Sequence, residues 1–192
     1  MTIQLLHFLQ EDCPTYLKDQ IISLMKNEWP QAFEGKNEDE QWEICPETKP
    51  VSLVLLDDNT VISHVAIPHK NIKHIGQIYK AFGLSEVITN PSYRKQGYGL
   101  KLIKEAYKFI EEKDPDLSLF TCQPSLVTFY SQGGWEYSKN TNLIGGTLDQ
   151  PFRSDTLGLS TMIRLFSDKA KENHFEFKET DVYLELGERK LW

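Results

Sequence analysis

The sequence predicts an α/β fold in which a mixed β-sheet carries helices on its faces. Apolar runs of strand length outnumber the helical patterns along the 192 residues. Strand, helix and strand nevertheless alternate between residues 82 and 122, an order that is typical of a sheet covered by helices. Because this length favours one folding unit, we predict a single domain over 1–192, with 168–192 as a C-terminal extension.

The first elements follow from apolar spacing and from two prolines. Residues 3–9 are predicted to form a short strand. A helix is predicted next, because Pro14 stands where a first turn tolerates proline and Pro30 would end it. The highly charged segment 34–43 is predicted to be a solvated connector, with a substrate lid as the alternative. The apolar positions with helical spacing are Leu17, Ile21, Ile22, Leu24, Met25 and Trp29.

In the middle of the chain, strands and turns alternate. A buried strand is predicted over 51–56, and it pairs as a hairpin with 61–67 through the turn at 57–59. Residues 68–81 are predicted to be a polar excursion. A further strand covers 82–89, where an Asn-Pro pair breaks it.

The second half begins with an amphipathic helix that starts at Gly97 and stops at Asp114-Pro115. A short helix is predicted over 125–130, and the pair Gly133-Gly134 closes it. The predicted strands of this half are 117–122, 135–144, 159–166 and 180–187.

The amino-acid composition argues against nucleic-acid, membrane and metal partners. The 28 acidic residues exceed the 21 basic ones, and the sequence has no basic patch of the density that nucleic-acid binders show. The excess of acidic residues is interpreted first as a feature that keeps the protein soluble. The alternative is that it attracts a cationic substrate. The N-terminus lacks the basic region of a signal peptide, and no run of about 18 apolar residues suggests a membrane partner. The three cysteines lack CxxC spacing, so we predict no metal, no disulfide framework and a cytoplasmic location.

One strand-to-helix junction carries the chemistry. Residues 89–99 read TNPSYRKQGYG. Gly97 and Gly99 let the backbone approach a ligand, and the free N–H groups of a first helical turn favour an anion. Arg94 and Lys95 add positive charge beside them. This pattern predicts a pyrophosphate site, and a glycine-rich helix start without a ligand is the alternative.

Two nucleotide motifs are excluded at this junction. The dinucleotide fingerprint requires a third glycine where this sequence has Leu102. The P-loop pattern GxxxxGK[ST] is absent from the sequence. An Arg-x-x-Gly-x-Gly pattern after a strand remains.

At these residues the sequence resembles the GCN5-related N-acetyltransferase (GNAT) family. The resemblance implies a mostly antiparallel mixed sheet of about seven strands flanked by about four helices. It also implies acetyl-coenzyme A (acetyl-CoA) as cosubstrate, with its pyrophosphate in the loop and its pantetheine arm on the preceding strand. The implied positions are Val87 and Thr89 on the strand, and Arg94, Lys95, Gln96, Gly97, Tyr98, Gly99 and Leu100 in the loop.

A second family feature lies downstream, where residues 123–130 read QPSLVTFY before Gly133-Gly134-Trp135. The resemblance implies that Tyr130 protonates the leaving thiolate, which suits a phenol with a pKa of about 10. Packing in the core is the alternative role for Tyr130. Gln123 stands where the family usually has Asn, so its bond to the pantetheine is in doubt.

The resemblance implies a general base on the strand before the loop, where Glu86 is the acidic residue. Strand alternation alone would point Glu86 away from Val87 and Thr89, whereas a β-bulge would let it reach the cleft. Without a bulge, Glu86 would be a solvated surface charge. The alternative bases are His64, His69 and His74, of which His64 is the best placed.

The region after Tyr130 is similar to the aminoglycoside 2′-N-acetyltransferase branch of that family. The shared features include Gly134-Trp135, a Pro151…Asp155 loop and a final Trp192. The resemblance implies that the Trp192 carboxylate lines the substrate site and binds an ammonium group. The alternative is that Trp192 anchors the tail in an apolar groove. The tail lacks the acidic run of that branch.

The resemblance therefore implies an acetyl-CoA-dependent N-acetyltransferase that acts on the primary amine of a small molecule by direct attack in a ternary complex. Aminoglycoside-like compounds and polyamines are the candidate acceptors, and a homodimer is left open. One alternative is a CoA-binding sensor or interaction module without turnover. The other is a protein or peptide N-acetyltransferase, against which the long segment 140–158 argues.

Overall fold

Strands outnumber α-helices in the residues that the computed structural model describes, which are 3–35, 42, 46–188 and 190–192. The strands are β1 (Ile3–Leu9), β2 (Val51–Asp57), β3 (Thr60–Ile67), β4 (His69–His74), β5 (Gln77–Phe82), β6 (Ser85–Thr89), β7 (Leu117–Cys122), β8 (Glu136–Ser138), β9 (Asn142–Gly146), β10 (Pro151–Arg153), β11 (Ser160–Leu165) and β12 (Asp181–Tyr183). The α-helices are α1 (Thr15–Glu28), α2 (Tyr98–Glu111), α3 (Val127–Gly133) and α4 (Asp168–Glu172). The mixed α/β class predicted from the sequence is confirmed.

The first sheet has the spatial order β1-β2-β3-β6 and is antiparallel throughout. Successive side chains of β2 point to opposite faces, so Leu53 and Leu55 join the core on the α2 side while Val54 and Leu56 join the core on the α1 side. A helix covers each face of this sheet. This is why residues 53–56 form a continuous apolar run rather than an alternating one.

The two long helices are amphipathic, as predicted. Helix α1 buries Leu17, Ile21, Ile22 and Met25, and α2 buries Leu102, Ile103, Ala106 and Ile110. In both helices the spacings between these residues are one, three and four positions, which places them on one face. Within the described part of the chain, no helix has both the length and the apolarity needed to cross a membrane.

The second sheet has the order β4-β5-β7-β11-β8, and only its β5–β7 pair is parallel. A small third sheet, β10-β9-β12, follows it. The chain passes between the first two sheets twice by short connections, at Pro68 between β3 and β4 and at Gly83-Leu84 between β5 and β6.

The prediction of a polar excursion over 68–81 is wrong, because this stretch forms the hairpin β4–β5. Ile72, Tyr79 and Ala81 are buried, and they alternate with polar residues on the outer face. The turn at Ile75-Gly76 has positive φ at both residues, as a tight hairpin requires. Lys73 and Lys80 on the outer face, together with the polar but buried His74, hid this alternation.

Two other predicted elements are corrected. The strand expected over 135–144 is divided into β8 and β9, because a turn with Asn140 at positive φ interrupts it. The solvated connector expected over 34–43 is wrong at Trp42, which is only 6% exposed. Residues 36–41 and 43 lie outside the described residues.

Candidate active site

The site begins where two strands separate. Strand β5 pairs with β7 only at Ala81–Leu117 and Phe82–Ser118. Beyond Phe82 the chain passes into β6, which pairs with β3 instead. The edges of β6 and β7 that face each other are therefore left without a strand partner. A cleft of about 360 Å³ opens here, and an extended ligand can pair with such edges.

A β-bulge in β6 determines where Glu86 points. The β3–β6 pairing jumps from His64–Ile88 to Ala66–Ser85, so an extra residue is accommodated in β6. Glu86 adopts a φ of 52° at this position, a left-handed conformation that is strained for a residue with a side chain. The bulge on which the prediction for Glu86 depended is present.

The carboxyl group of Glu86 has two neutral hydrogen-bond donors. Gln10 Nε2 donates to Oε2 at 2.6 Å, and Trp42 Nε1 donates to the same oxygen at 2.9 Å. Burial raises the pKa of Glu86 to about 7, while the bonds from Trp42 and Gln10 act in the opposite direction. A carboxyl group with a pKa near neutrality can exchange protons efficiently at neutral pH.

Glu86 lies between two cavities. It lines the cleft between β6 and β7, and it also lines a second cavity of about 220 Å³ on its other side. Ser85 and Trp192 are shared by both cavities as well. A group held in the cleft and a second molecule held in the 220 Å³ cavity could therefore both contact Glu86.

His64 stabilises the bulge through a hydrogen bond to the backbone of Glu86. Its ring is fully buried, with Nδ1 at 3.1 Å from the Glu86 carbonyl oxygen and Nε2 at 2.9 Å from Ser52 Oγ. Because a carbonyl oxygen only accepts, Nδ1 carries the proton and the Ser52 hydroxyl donates to Nε2. Burial lowers the pKa of His64 to about 4, so the ring is neutral at neutral pH. This geometry favours a structural role for His64 rather than that of a base.

The other two histidines considered as bases are engaged outside the cleft. His69 stacks on Phe82, and burial followed by the charges of Lys80 and Lys49 lowers its pKa. His74 is bonded through Nε2 to the Glu176 carbonyl oxygen at 2.8 Å. Neither residue lines the cleft.

Tyr130 lines the cleft from α3. It is 5% exposed, and its ring packs edge-on against Phe120 and Phe129. Burial raises its pKa well above the ordinary value, so the hydroxyl stays protonated. Among the described residues the hydroxyl has no hydrogen-bond partner, so its proton is available to a molecule in the cleft.

The loop before α2 is where the sequence predicts an anion site. Lys95 and Gly97 both have positive φ, which turns the chain sharply into the helix. The first-turn N–H groups of Tyr98, Gly99 and Leu100 precede the first intrahelical bond, and no side chain caps them. A side chain at Gly99 would place its Cβ only 3.0 Å from Thr89 Oγ1. These free amides and the close approach of the backbone suit the diphosphate of coenzyme A.

Arg94 takes a different position from the one expected beside that anion. Its Nη2 donates to Glu28 Oε2 at 2.6 Å, and its Nε donates to the Thr89 carbonyl oxygen at 3.0 Å. The guanidinium therefore ties the loop to α1. Lys95 and Gln96 are exposed.

The remaining predicted residues divide between the cleft and its surroundings. Val87 and the exposed Gln123 line the cleft, whereas the Thr89 hydroxyl lies 3.0 Å from Ser63 Oγ. Trp192 is 7% exposed, and its carbonyl oxygen accepts from Thr121 N at 2.9 Å and from Thr121 Oγ1 at 2.5 Å. This packing agrees with the apolar anchor that was the alternative role for Trp192.

Sequence reasoning missed the residues that surround Glu86. Gln10, Trp42 and Ser52 belong to no motif, and they meet the bulge only through the fold. The sequence did contain one indication for Trp42, because a tryptophan within a highly charged segment is expected to pack against apolar residues. It finds that contact in the cluster between α1 and the first sheet.

Comparison with known proteins agrees with this geometry. The family model described as an acetyltransferase (GNAT) domain matches residues 15–138. No curated protein sequence matches the chain.

Three solved structures illustrate the likeness. The GNAT family N-acetyltransferase YhbS from Escherichia coli, in complex with CoA, is 17% identical with a TM-score of 0.59, covering 95% of this chain and 91% of its own. A GNAT family acetyltransferase from Brucella melitensis, in complex with acetyl-CoA, is 17% identical with a TM-score of 0.51, covering 70% and 83%. An aminoglycoside 6′-N-acetyltransferase complexed with coenzyme A is 12% identical with a TM-score of 0.56, covering 84% and 97%. At these identities the likeness establishes the fold.

Proposed function

The chain belongs to the acetyltransferase (GNAT) family, and we propose that it transfers the acetyl group of acetyl-CoA to the primary amine of a small molecule, with Glu86 as general base and Tyr130 as general acid. The observation that carries this proposal is the position of Glu86 between two cavities. The cleft between β6 and β7 is assigned to the cosubstrate, and the 220 Å³ cavity is assigned to the acceptor.

Acetyl-CoA supplies an activated acetyl thioester when bound. Among the described residues the facing edges of β6 and β7 have no strand partner, although Thr121 N on β7 donates to the Trp192 carbonyl oxygen. The remaining backbone groups of these edges suit the extended pantetheine arm of acetyl-CoA. The N–H groups of Tyr98, Gly99 and Leu100 suit its diphosphate. Likeness to proteins crystallised with CoA or acetyl-CoA supports the same assignment.

Glu86 has the properties required of the base. A primary ammonium has a pKa of about 10.4, so it must lose a proton before the nitrogen can attack. The Glu86 carboxylate accepts that proton, and its negative charge favours the ammonium in the acceptor cavity beforehand. With a pKa of about 7 it is a stronger base than an ordinary carboxylate and still largely ionised slightly above neutrality.

Tyr130 has the properties required of the acid. As the nitrogen–carbon bond forms and the carbon–sulfur bond breaks, the Tyr130 hydroxyl gives its proton to the departing sulfur. The second proton lost by the attacking nitrogen restores the phenol, directly or through water. The proton held by Glu86 passes to solvent, so that one proton is released for each acetyl group transferred from an ammonium.

The test is thiol release from acetyl-CoA with a panel of primary amines, comparing the wild type with Glu86→Gln. We expect the glutamine variant to lose about a hundredfold or more in turnover, within the range of a general base. Glu185→Gln is the matched control, because Glu185 is exposed and has nearly the same positive φ of 51°. Turnover of Glu86→Gln equal to that of the control would remove Glu86 as the base.

The alternative of a CoA-binding module without turnover has its own outcome in this assay. Calorimetric binding of CoA together with absent thiol release for every amine would favour that module. Thiol release with lysine peptides but with no small amine would favour a peptide N-acetyltransferase.

A further inference from the structure

We infer that the acceptor is a compact monoamine with an apolar body, and that Trp192 is the residue that sets its size. This inference rests on the proposed function, because it assigns the 220 Å³ cavity to the acceptor. It concerns the walls of that cavity rather than the proton transfers.

Six of the eleven residues that line the cavity are apolar, and Gln10, Thr48 and Ser85 are its neutral polar residues. Pro50, Ala66 and Pro68 form part of one side, and Leu186, Leu191 and Trp192 from the C-terminal tail form another. A volume of about 220 Å³ is smaller than the roughly 300–1,000 Å³ typical of drug-sized ligands. The cavity is therefore suited to a small acceptor whose non-reacting part is hydrocarbon.

The charges that line the cavity point to a single ammonium group. Glu86 is the one carboxylate among the lining residues, and Lys190 is the other titratable side chain there. A polyamine or an aminoglycoside carries several ammonium groups, and those beyond the first would find no second carboxylate side chain, only apolar residues, neutral polar residues and a lysine. Removing such charges from water without a partner is costly. A monoamine leaves no further charge unpaired.

Trp192 stands at the boundary between the two cavities. A Cβ built on Gly83 would lie 2.7 Å from two carbons of the Trp192 ring, so the indole lies directly on the glycine that separates β5 from β6. Thr121 fixes its carbonyl oxygen from the edge of β7. The indole thereby closes the acceptor cavity beside Glu86, and its removal would enlarge that cavity.

The experiment compares phenethylamine, the bulkier tryptamine, spermidine and a 2-deoxystreptamine aminoglycoside in the wild type and in Trp192→Ala. Thiol release gives kcat/KM, and calorimetry in the presence of CoA gives amine binding. We expect the wild type to prefer phenethylamine over both polycations by about tenfold or more, and over tryptamine by a similar factor. Trp192→Ala should reduce the discrimination against tryptamine by about tenfold, in turnover and in binding.

A second variant covers the case in which Trp192→Ala does not fold. Gly83→Ala keeps the tryptophan but forces its ring to move, and Gly83 does not have the positive φ at which alanine would be strained. It should change the same phenethylamine-to-tryptamine ratio. Tyr183→Ala is the control, because Tyr183 is an exposed aromatic residue that lines neither cavity and should leave that ratio unaltered.

The outcomes separate the two proposals. Preference for spermidine or the aminoglycoside, or an unchanged size ratio in both Trp192→Ala and Gly83→Ala, would overturn this inference while amine acetylation itself stands. Failure of every amine to react, despite binding of acetyl-CoA, would overturn the proposed function and this inference with it.

Discussion

The indole nitrogen of Trp42 lies 2.9 Å from a carboxylate oxygen of Glu86, although 44 positions separate the two residues. The Trp42 ring also packs edge-on against His64, with 5.6 Å between ring centroids. Trp42 thus contacts both the carboxyl group proposed as the base and the histidine that bonds to its backbone. This contact links the charged segment before β2 to the proposed chemistry.

Loss of the Trp42 donor should shift the pH dependence of turnover. The indole N–H stabilises the ionised form of Glu86 and therefore lowers its pKa. We expect Trp42→Phe to raise the apparent pKa on the acidic limb of kcat above about 7, by up to about one unit. The measurement is kcat against pH with saturating amine and acetyl-CoA.

The control for that experiment is Trp29→Phe. Trp29 is exposed, and it makes no hydrogen bond to Glu86. An acidic limb at the same pH in Trp42→Phe and in the wild type would show that the bond does not set the pKa of the reacting group.

Ionisation of Glu86 should lower the free energy of unfolding at alkaline pH. Its pKa in the folded chain is about 7, against an ordinary value of 4.5, so the folded state binds the proton more tightly than the unfolded state does. The resulting stabilisation is complete below pH 4.5 and is lost as the pH rises through 7. No ion pair among the described residues offsets the charge on Glu86.

Glu86→Gln should therefore gain stability relative to the wild type as the pH rises. We expect its advantage in free energy of unfolding to grow by about 1–2 kcal/mol between pH 5 and pH 8, less than the full linkage value because Glu86 is partly exposed. Urea denaturation at the two pH values measures the change, with Glu185→Gln as control. An advantage that is equal at both pH values would contradict a raised pKa.

The sequence predicted the parts of this site that depend on local pattern. Gly97 and Gly99 define the helix start because they act through the backbone of a few consecutive residues, and Tyr130 lies at a fixed distance from a glycine pair. Alternation alone could not place Glu86, since its direction depends on a bulge that is visible only in the pairing of β3 with β6.

Long-range contacts account for what the sequence did not predict. Burial raises the pKa of Glu86, and the bonds from Trp42 and Gln10 that oppose this shift form only through tertiary packing. Arg94 was expected to contact the anion because of its position in the motif, but Glu28 of α1 competes for its charge. The hairpin β4–β5 was missed because only one of its faces is buried and the exposed face dominates its composition.

Removal of the Tyr130 hydroxyl should slow the reaction without weakening cosubstrate binding. Burial keeps this phenol protonated, and its ring is held by Phe120 and Phe129 whether or not the hydroxyl is present. We expect Tyr130→Phe to lower kcat by about tenfold or more, with nearly unchanged affinity for acetyl-CoA. Thiol release and calorimetry give the two quantities.

Tyr107→Phe provides the comparison for Tyr130→Phe, because Tyr107 also packs among aromatic rings but does not line the cleft. It should turn over like the wild type. Equal kcat for the two phenylalanine variants would argue that Tyr130 only fills the core.

The turn at Gly97 should be required for binding coenzyme A beyond its effect on stability. Gly97 and Gly76 have φ of 83° and 77°, and a Cβ at either position would meet no atom within 4 Å. Alanine should therefore impose the same backbone strain at both, about 1 kcal/mol. Only Gly97 precedes the free amides of α2, whereas Gly76 lies in the distant β4–β5 hairpin turn.

We expect both alanine variants to lose similar stability in urea denaturation. Only Gly97→Ala should bind CoA about tenfold or more weakly by calorimetry, because each misplaced charge-assisted bond is worth about 1.5–3 kcal/mol. Equal CoA affinity in the two variants would mean that the diphosphate is held elsewhere.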